Sequence, residues 1–312
     1  MNSAHENNQG EGKKEMSSTY EHITADDSVV SIIHHPAFTG FGQYILPWDD
    51  RDYDVDMKMD QISYLLPYHS HIHIDTVIKP LNHMIDDINA GKTVFYNFYT
   101  EKEKQEEPTK NDTGLFYFHG DPGAPFAVIC AGGGFTYVGS LHEGFPHALE
   151  ISRRGYNAFV LKYRVGSGRR ATEDLAAAIS HIYENADALS VDAHRYSLWG
   201  SSAGARMAAY IGSYGVHGFG GDRISGPGTV VMAYTGHADY SPNDPPTFAI
   251  VGANDRIAVP STMERRINAM KANGIDVDFH IYPCLGHGFG LGIGTSAEGW
   301  IDDAIEFWEE HM

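Results

Sequence analysis

"WGSSAGA", residues 199–205, is the stretch on which the reading of this chain turns. Gly200 and Gly204 bracket a G-x-S-x-G pattern, and the residue at its centre is Ser202, not Ser201. Glycine and serine are abundant, so the pattern has meaning only through its flanks. Before it, "RYSLWG" (195–200) is a short strand-like run. After it, Ala203, Met207, Tyr210, Ile211 and Tyr214 recur at helical spacing. Between a strand and a helix, such glycines allow a cramped turn that lifts the central side chain off the sheet and exposes its oxygen. The turn also sets the Ala203 amide at a helix N-terminus, where backbone donors favour developing negative charge.

Working outward, strands and helices alternate. "FAVICAG" (126–132), "NAFVLKY" (157–163), "TVVMAY" (229–234), "TFAIVG" (247–252) and "VDFHIY" (277–282) read as strands. Helical faces lie between them: Phe145, Ala148, Leu149 and Ser152; Leu175, Ala178, Ile179 and Ile182; Met263, Ile267 and Met270 after Pro260; and Ile301, Ala304, Ile305 and Trp308. Continuous apolar strands alternating with amphipathic helices predict an α/β protein whose mostly parallel sheet is covered on both faces. Upstream, "TVFYNFY" (93–99) and "GLFYFHG" (114–120) predict an antiparallel N-terminal hairpin, with charged residues 100–113 as its loop. The sheet then has about eight strands. "IKPLNHMIDDINAG" predicts a short helix over Leu81–Ile88, ended by Gly91. The expected organisation is a disordered tail over 1–27, an extension over 28–91 packing near the active site, and a catalytic domain over 92–312.

In open α/β sheets, functional groups gather where strands end at their carboxyl edge. Three such ends join the one at Ser202. "CAGGGF" (130–135) offers a side-chain-free run, and the amides of Gly133 and Gly134, with that of Ala203, are candidate oxyanion donors. The competing reading, a nucleotide cradle, lacks both the G-x-G-x-x-G spacing and a P-loop lysine. "VGANDRIAVP" (251–260) supplies Asp255, suited to orient an imidazole. Asp239 and Asp244 compete for that role, and Asp255 could instead cap the helix at Pro260; the chain order Ser, Asp, His favours Asp255 as orienting acid. "YPCLGHGFG" (282–290) supplies His287, set apart from the other histidines (18 in all) by its place after the last strand.

The rest of the composition mostly excludes. A net charge of −19 disfavours nucleic acid and anionic membrane partners and suits a neutral or cationic substrate. Cys130 and Cys284 form no framework and read as buried free thiols. No apolar run is long enough to span a membrane, and the polar first two dozen residues lack a signal-peptide core, so a cytoplasmic location is expected. "HSHIH" sets His69, His71 and His73 on one side if extended, but without a carboxylate or cysteine at ligand spacing no metal is assigned, and no cofactor is expected. Phe38, Phe41, Tyr44, Trp48 and Tyr64 are candidates either for a sugar or phenolic subsite or for core packing.

Taken in order, "GGGF", "WGSSAG", "GANDRIAVP" and "GHGFG" resemble the α/β-hydrolase superfamily over residues 92–312. Within it the chain is similar to bacterial acetylesterases and carbohydrate esterases related to hormone-sensitive lipases, a group with acetyl-xylan and feruloyl esterase members. The resemblance implies the α/β-hydrolase fold, Ser202 as nucleophile, His287 as base, Asp255 as orienting acid, and an oxyanion hole of Gly133, Gly134 and Ala203. Ala131 stands where the family often has His or Pro, and Ala205 where it often has a further glycine. The expected activity is a serine esterase for short acyl esters of small molecules or carbohydrates. A peptidase or amidase with the same triad, and a non-catalytic binding protein on this scaffold, are the alternatives. The oligomeric state is left open between monomer and homodimer.

Overall fold

The structure is a computed structural model that describes residues 19–312, so the first 18 residues of the expected tail lie outside it. Residues 19–27, assigned to that tail, are instead tied to the body: the Tyr20 amide donates to Asn89 at 2.8 Å, the Ile23 amide donates to Asn82 at 2.8 Å, and the Ile23 side chain is buried.

Eight strands form one sheet: β1 (Phe95–Tyr96), β2 (Gly114–Phe118), β3 (Pro125–Cys130), β4 (Asn157–Lys162), β5 (Asp192–Ser201), β6 (Thr229–Ala233), β7 (Thr247–Gly252) and β8 (Val277–Tyr282). Their order is β1-β2-β4-β3-β5-β6-β7-β8. β1 pairs antiparallel with β2, and β2 antiparallel with β4; all other pairs are parallel. β2, β6 and β7 are buried at every residue, because helices shield both faces and leave no polar side for an alternating pattern to mark.

The topology locates the site. The crossover from β3 to β4 steps one way along the sheet, and the next, from β4 to β5, steps back past β3. Since such crossovers are right-handed, their helices, Phe145–Arg153 and Gly168–Glu184, lie on opposite faces. The carboxyl ends of the neighbours β3 and β5 therefore open a crevice, the usual place for a ligand in this architecture. The glycine run follows β3 and Ser202 follows β5.

Three local expectations need correction. The helix expected over Leu81–Ile88 runs over Ile74–Asn89 with Pro80 inside it. An internal proline costs about 3 kcal/mol, but here Val77, Pro80, Leu81, Met84 and Ile85 form one buried face, and their burial outweighs that cost. The charged segment between β1 and β2 is not merely a loop: Glu101–Glu106 is a helix, started by a capping box in which Thr100 and Glu103 satisfy each other's amides. Cys130 is buried as expected, but Cys284 is exposed, in a turn with φ 60° after β8.

Candidate active site

Ser202 stands between the last residue of β5 and the first of the helix Ala203–Tyr214. Its backbone is in the left-handed region, φ 51° and ψ −112°, a conformation that costs a non-glycine residue about 1–3 kcal/mol. The turn is pinned by the Ser202 amide donating to the Ala233 carbonyl on neighbouring β6 at 2.8 Å. The flanking glycines have a steric reason. A Cβ on Gly204 would lie 1.9 Å from the Cys130 carbonyl oxygen, and one on Gly200 would lie 2.4 Å from the Ala205 nitrogen. The helix thus packs directly on the end of β3 and holds its first turn beside the glycine run.

Three strand ends meet here. His287 Nε2 lies 2.9 Å from Ser202 Oγ, and His287 Nδ1 lies 2.7 Å from Asp255 Oδ2. The other Asp255 oxygen accepts the amides of Ile257 and Ala258, at 2.8 and 2.7 Å, so the carboxylate is fixed by its own loop. The Asp255 and His287 side chains are 0% and 6% exposed, which keeps water from competing for their hydrogen bond. The rival acids go elsewhere. Asp244 pairs with Arg266 at 2.6 Å in the interior, and Asp239 is exposed. Asp255 does organise the turn before Pro260, but the helix N-cap there is Val259.

The cleft over Ser202 has a volume of about 260 Å³ and is lined by Gly134, Phe135, Ser202, Ala203, Arg206, Thr235, Gly236 and His237. The amides of Gly134 and Ala203 donate to no acceptor among the described residues. Gly133 lies one step back in the turn and does not line the cleft; its carbonyl accepts the amides of Thr136 and Tyr137. Gly132 is also engaged, because its amide donates to Glu143 at 2.7 Å.

Glu143 is the residue that sequence reading missed. It sits in a single π-helical turn, Ser140–Gly144, directly behind the glycine run, and is fully buried. One carboxylate oxygen accepts from Gly132 and lies 3.1 Å from His69 Nε2; the other accepts from the Tyr234 hydroxyl at 2.7 Å. Burial alone would raise this carboxyl, but His69, His142 and Tyr234 outweigh it and hold it well below the usual carboxylate range. The Tyr234 ring packs edge-on to His287, 5.1 Å between centroids, and its hydroxyl accepts the Gly290 amide. One buried carboxylate thereby joins the glycine run to the loop that carries the imidazole.

The segment 28–91 reaches the same place. The Ser70 hydroxyl donates to the His287 carbonyl at 2.8 Å, and the Ser70 amide donates to the Gly288 carbonyl at 2.8 Å. His69 Nδ1 lies 2.8 Å from the Tyr137 hydroxyl, and the Tyr68 ring lies beside Gly134. The three histidines of "HSHIH" therefore have separate partners: His69 faces Glu143, His71 faces Ser70, and His73 faces the Ile293 carbonyl. The five aromatics proposed for a subsite do not line the cleft over Ser202. Phe38 is core, Phe41 and Tyr44 stack with Phe95, Trp48 packs on Tyr137, and Tyr64 is exposed. Tyr44 and Trp48 border a separate cavity of about 480 Å³ that shares no lining residue with the cleft.

The architecture is that of the α/β-hydrolases, and the comparisons agree. The thermophilic esterase Est2 of Thermogutta terrifontis, solved with propionate bound, superposes with TM-score 0.56 at 20% identity over 64% of this chain and 89% of that one. The acetyl ester-xyloside bifunctional hydrolase of Caldicellulosiruptor lactoaceticus gives TM-score 0.57 at 22% identity, over 64% and 88%. Residues 119–223 match the BD-FAE family and residues 228–312 the prolyl oligopeptidase family. Among curated proteins, the chain is 22% identical to an acetylxylan esterase of Xylanibacter ruminicola over 55% of this chain and 42% of that protein. It is 34% identical to endo-1,4-beta-xylanase B of Butyrivibrio fibrisolvens, over 29% of this chain and 14% of that protein. The chain thus spans less than half the length of either curated relative. No helix among the described residues is long and apolar enough to cross a membrane.

Proposed function

We propose that the chain is a serine esterase that hydrolyses short-chain, acetyl-type esters of carbohydrate or phenolic alcohols. The observation that carries this reading is the unbroken contact line from Asp255 through His287 to Ser202, at 2.7 and 2.9 Å, beside unoccupied backbone amides. His287 Nε2 takes the Ser202 proton as the oxygen attacks the ester carbonyl; Asp255 holds the imidazole in the required tautomer and stabilises the imidazolium. Negative charge develops on the carbonyl oxygen and is met by the amides of Gly134 and Ala203, with Gly133 as the remaining candidate. The imidazolium protonates the departing alcohol. The neutral imidazole then takes a proton from water as that oxygen attacks the acyl carbon, and returns it to Ser202 Oγ as the acid leaves. The segment 28–91 belongs to this site in the proposal, because Ser70 and His69 brace the loops that carry His287 and the glycine run.

The acyl and alcohol classes are suggested by the relatives' own names: an acetylxylan esterase, an acetyl ester-xyloside hydrolase and an esterase with propionate bound. The match of residues 228–312 to the prolyl oligopeptidase family favours a second reading, an amidase or peptidase with the same triad. A rate comparison on p-nitrophenyl acetate, acetylated xylan and an aminoacyl anilide separates the two. The esterase reading predicts turnover of the first two and little of the third; anilide cleavage at a comparable kcat/KM would overturn it.

A further inference from the structure

The cleft over Ser202 does not end at the serine. A second cavity of about 440 Å³ adjoins it, and both are bounded by Phe135 and Arg206. The outer cavity is completed by Gly168, Arg169, Thr172, Tyr210 and Phe219. Two features of the shared wall stand out chemically. Phe135 has φ 57°, where a bulky side chain is uncommon and strained. It is held there by the Gly166 amide donating to its carbonyl at 2.6 Å, with its ring against Gly168. The second feature is a cation without a counter-ion. Arg206 lies one turn beyond Ser202 on the same helix, exposed to the cleft, in a chain with net charge −19.

The neighbouring arginines are engaged. Arg266 pairs with Asp244 at 2.6 Å, Arg164 with Asp174 at 2.7 Å, and Arg169 with Glu173 at 3.0 Å. The Arg206 guanidinium has no carboxylate within ion-pair distance and no side-chain hydrogen bond among the described residues. It faces the Tyr210 ring at a distance, 5.8 Å from carbon to centroid. The other titratable group on the inner wall, His237, is 3% exposed and held neutral by burial and by the nearby Arg266 and Arg206. The wall therefore offers one planar, permanently charged fork of donors beside aromatic faces. That geometry matches a carboxylate, which guanidinium binds through two parallel hydrogen bonds.

We propose that the Phe135–Arg206 wall is a specificity subsite for a carboxylate carried by the ester substrate. The proposal rests on the esterase reading of Ser202 and narrows it to acidic esters. The carboxylate can sit on either side of the scissile bond: on the alcohol, as in an acetylated uronic acid, or on the acyl group, as in a half-ester of a dicarboxylic acid. The binding chemistry is the same in both, and arginine as a specificity residue touches substrate without taking part in bond making.

The test compares kcat/KM by pH-stat for two matched pairs on the full chain: acetylated methyl glucuronoside against acetylated methyl glucoside, and ethyl hemisuccinate against ethyl butyrate. In at least one pair the wild type is expected to prefer the charged ester by about tenfold, with the preference shrinking as salt is raised. Arg206→Gln should bring that ratio to about one, Arg206→Glu should invert it, and Arg206→Lys should keep part of it as a point charge. Wild-type ratios at or below one in both pairs, or a ratio that survives Arg206→Gln, would overturn the subsite while neutral-ester turnover leaves the esterase reading standing. Failure of the wild type to hydrolyse any of the four esters would overturn both.

Discussion

Replacing Glu143 by Gln tests whether one buried carboxylate organises the site from behind. The substitution keeps size and shape, so the effect isolates charge and donor pattern. In the wild type three groups converge on the carboxylate: the Gly132 amide at 2.7 Å, the Tyr234 hydroxyl at 2.7 Å and His69 Nε2 at 3.1 Å. A glutamine offers one accepting oxygen and one donating nitrogen, so with its oxygen kept toward Gly132 and His69 its nitrogen faces the Tyr234 hydroxyl, which must turn to accept instead of donate. Hydrogen bonds to a charged group contribute about 1.5–3 kcal/mol each. With the His69 and Glu143 side chains 2% and 0% exposed, solvent cannot replace the weakened hydrogen bonds, so a loss of about 2 kcal/mol is expected. The kinetic consequence follows from position. Gly132 precedes the candidate oxyanion amides, and Tyr234 packs on the His287 ring, so both shift when Glu143 loosens. A displacement of that kind lowers kcat by about 10²-fold while leaving KM nearly constant. Urea denaturation and p-nitrophenyl acetate kinetics read the two effects. A double-mutant cycle with His69→Gln should give a coupling of at least 0.5 kcal/mol. Wild-type stability together with wild-type kcat in Glu143→Gln would refute the reasoning.

Two further outcomes follow from packing and charge. Gly204→Ala puts a methyl group 1.9 Å from the Cys130 carbonyl oxygen, on backbone that cannot yield cheaply. The variant should lose more than about 3 kcal/mol in urea denaturation or fail to accumulate as folded protein, whereas an exposed control with open space and ordinary backbone, Gly226→Ala, should remain folded. Stability should also fall steeply in mild acid. Burial pushes His142 down to about 3 and His147 and His237 down to about 4, the last helped by Arg266 and Arg206. These groups stay neutral in the folded state while the unfolded chain takes up protons below its pKa near 6.5, so their stability is full above that pH and is lost as pH falls toward 4. Together they withdraw about 4 kcal/mol per pH unit in that window, and the depressed Glu143 adds loss of the same sign below the ordinary carboxylate range. A folded state equally stable at pH 7 and pH 5 would contradict this.

What was legible in the sequence and what was not divides along physical lines. Strand ends followed by glycine-rich turns announce themselves locally, so the loops bearing Ser202, Asp255 and His287 could be picked out, and the structure brings all three within hydrogen-bonding distance. The hairpin and the mostly parallel sheet were readable from the alternation of apolar strands and amphipathic helices, whereas the order of the strands came only from the structure. The helix Ile74–Asn89 was read too short: a proline inside a helix is costly, and only the tertiary burial of Val77, Pro80 and Leu81 shows that the turns before Leu81 are helical. The helix Glu101–Glu106 did carry a local signal, the Thr100–Glu103 capping box, hidden in a segment that composition marked as loop. Glu143, His69 and Tyr234 left no such signal. They come from three separate regions, "HSHIH" marked His69 only for a metal reading, and a buried hydrogen-bonded cluster made by tertiary packing leaves no periodic trace. The aromatics of 28–91 were ambiguous because core and sugar platforms use the same residue types; the structure uses them mainly as packing, and the rings that line the cleft over Ser202 are those of Phe135 and His237.

The central claim is that Ser202 attacks esters with help from His287. The most direct test is intact-mass and peptide mass spectrometry after incubation with paraoxon, alongside p-nitrophenyl acetate turnover for the wild type and Ser202→Ala. The account predicts a single phosphoryl adduct on the peptide containing Ser202, matching loss of activity in the wild type, and neither adduct nor turnover in the variant. An adduct on a different residue, or a Ser202→Ala protein that still hydrolyses the ester at the wild-type rate, would contradict it.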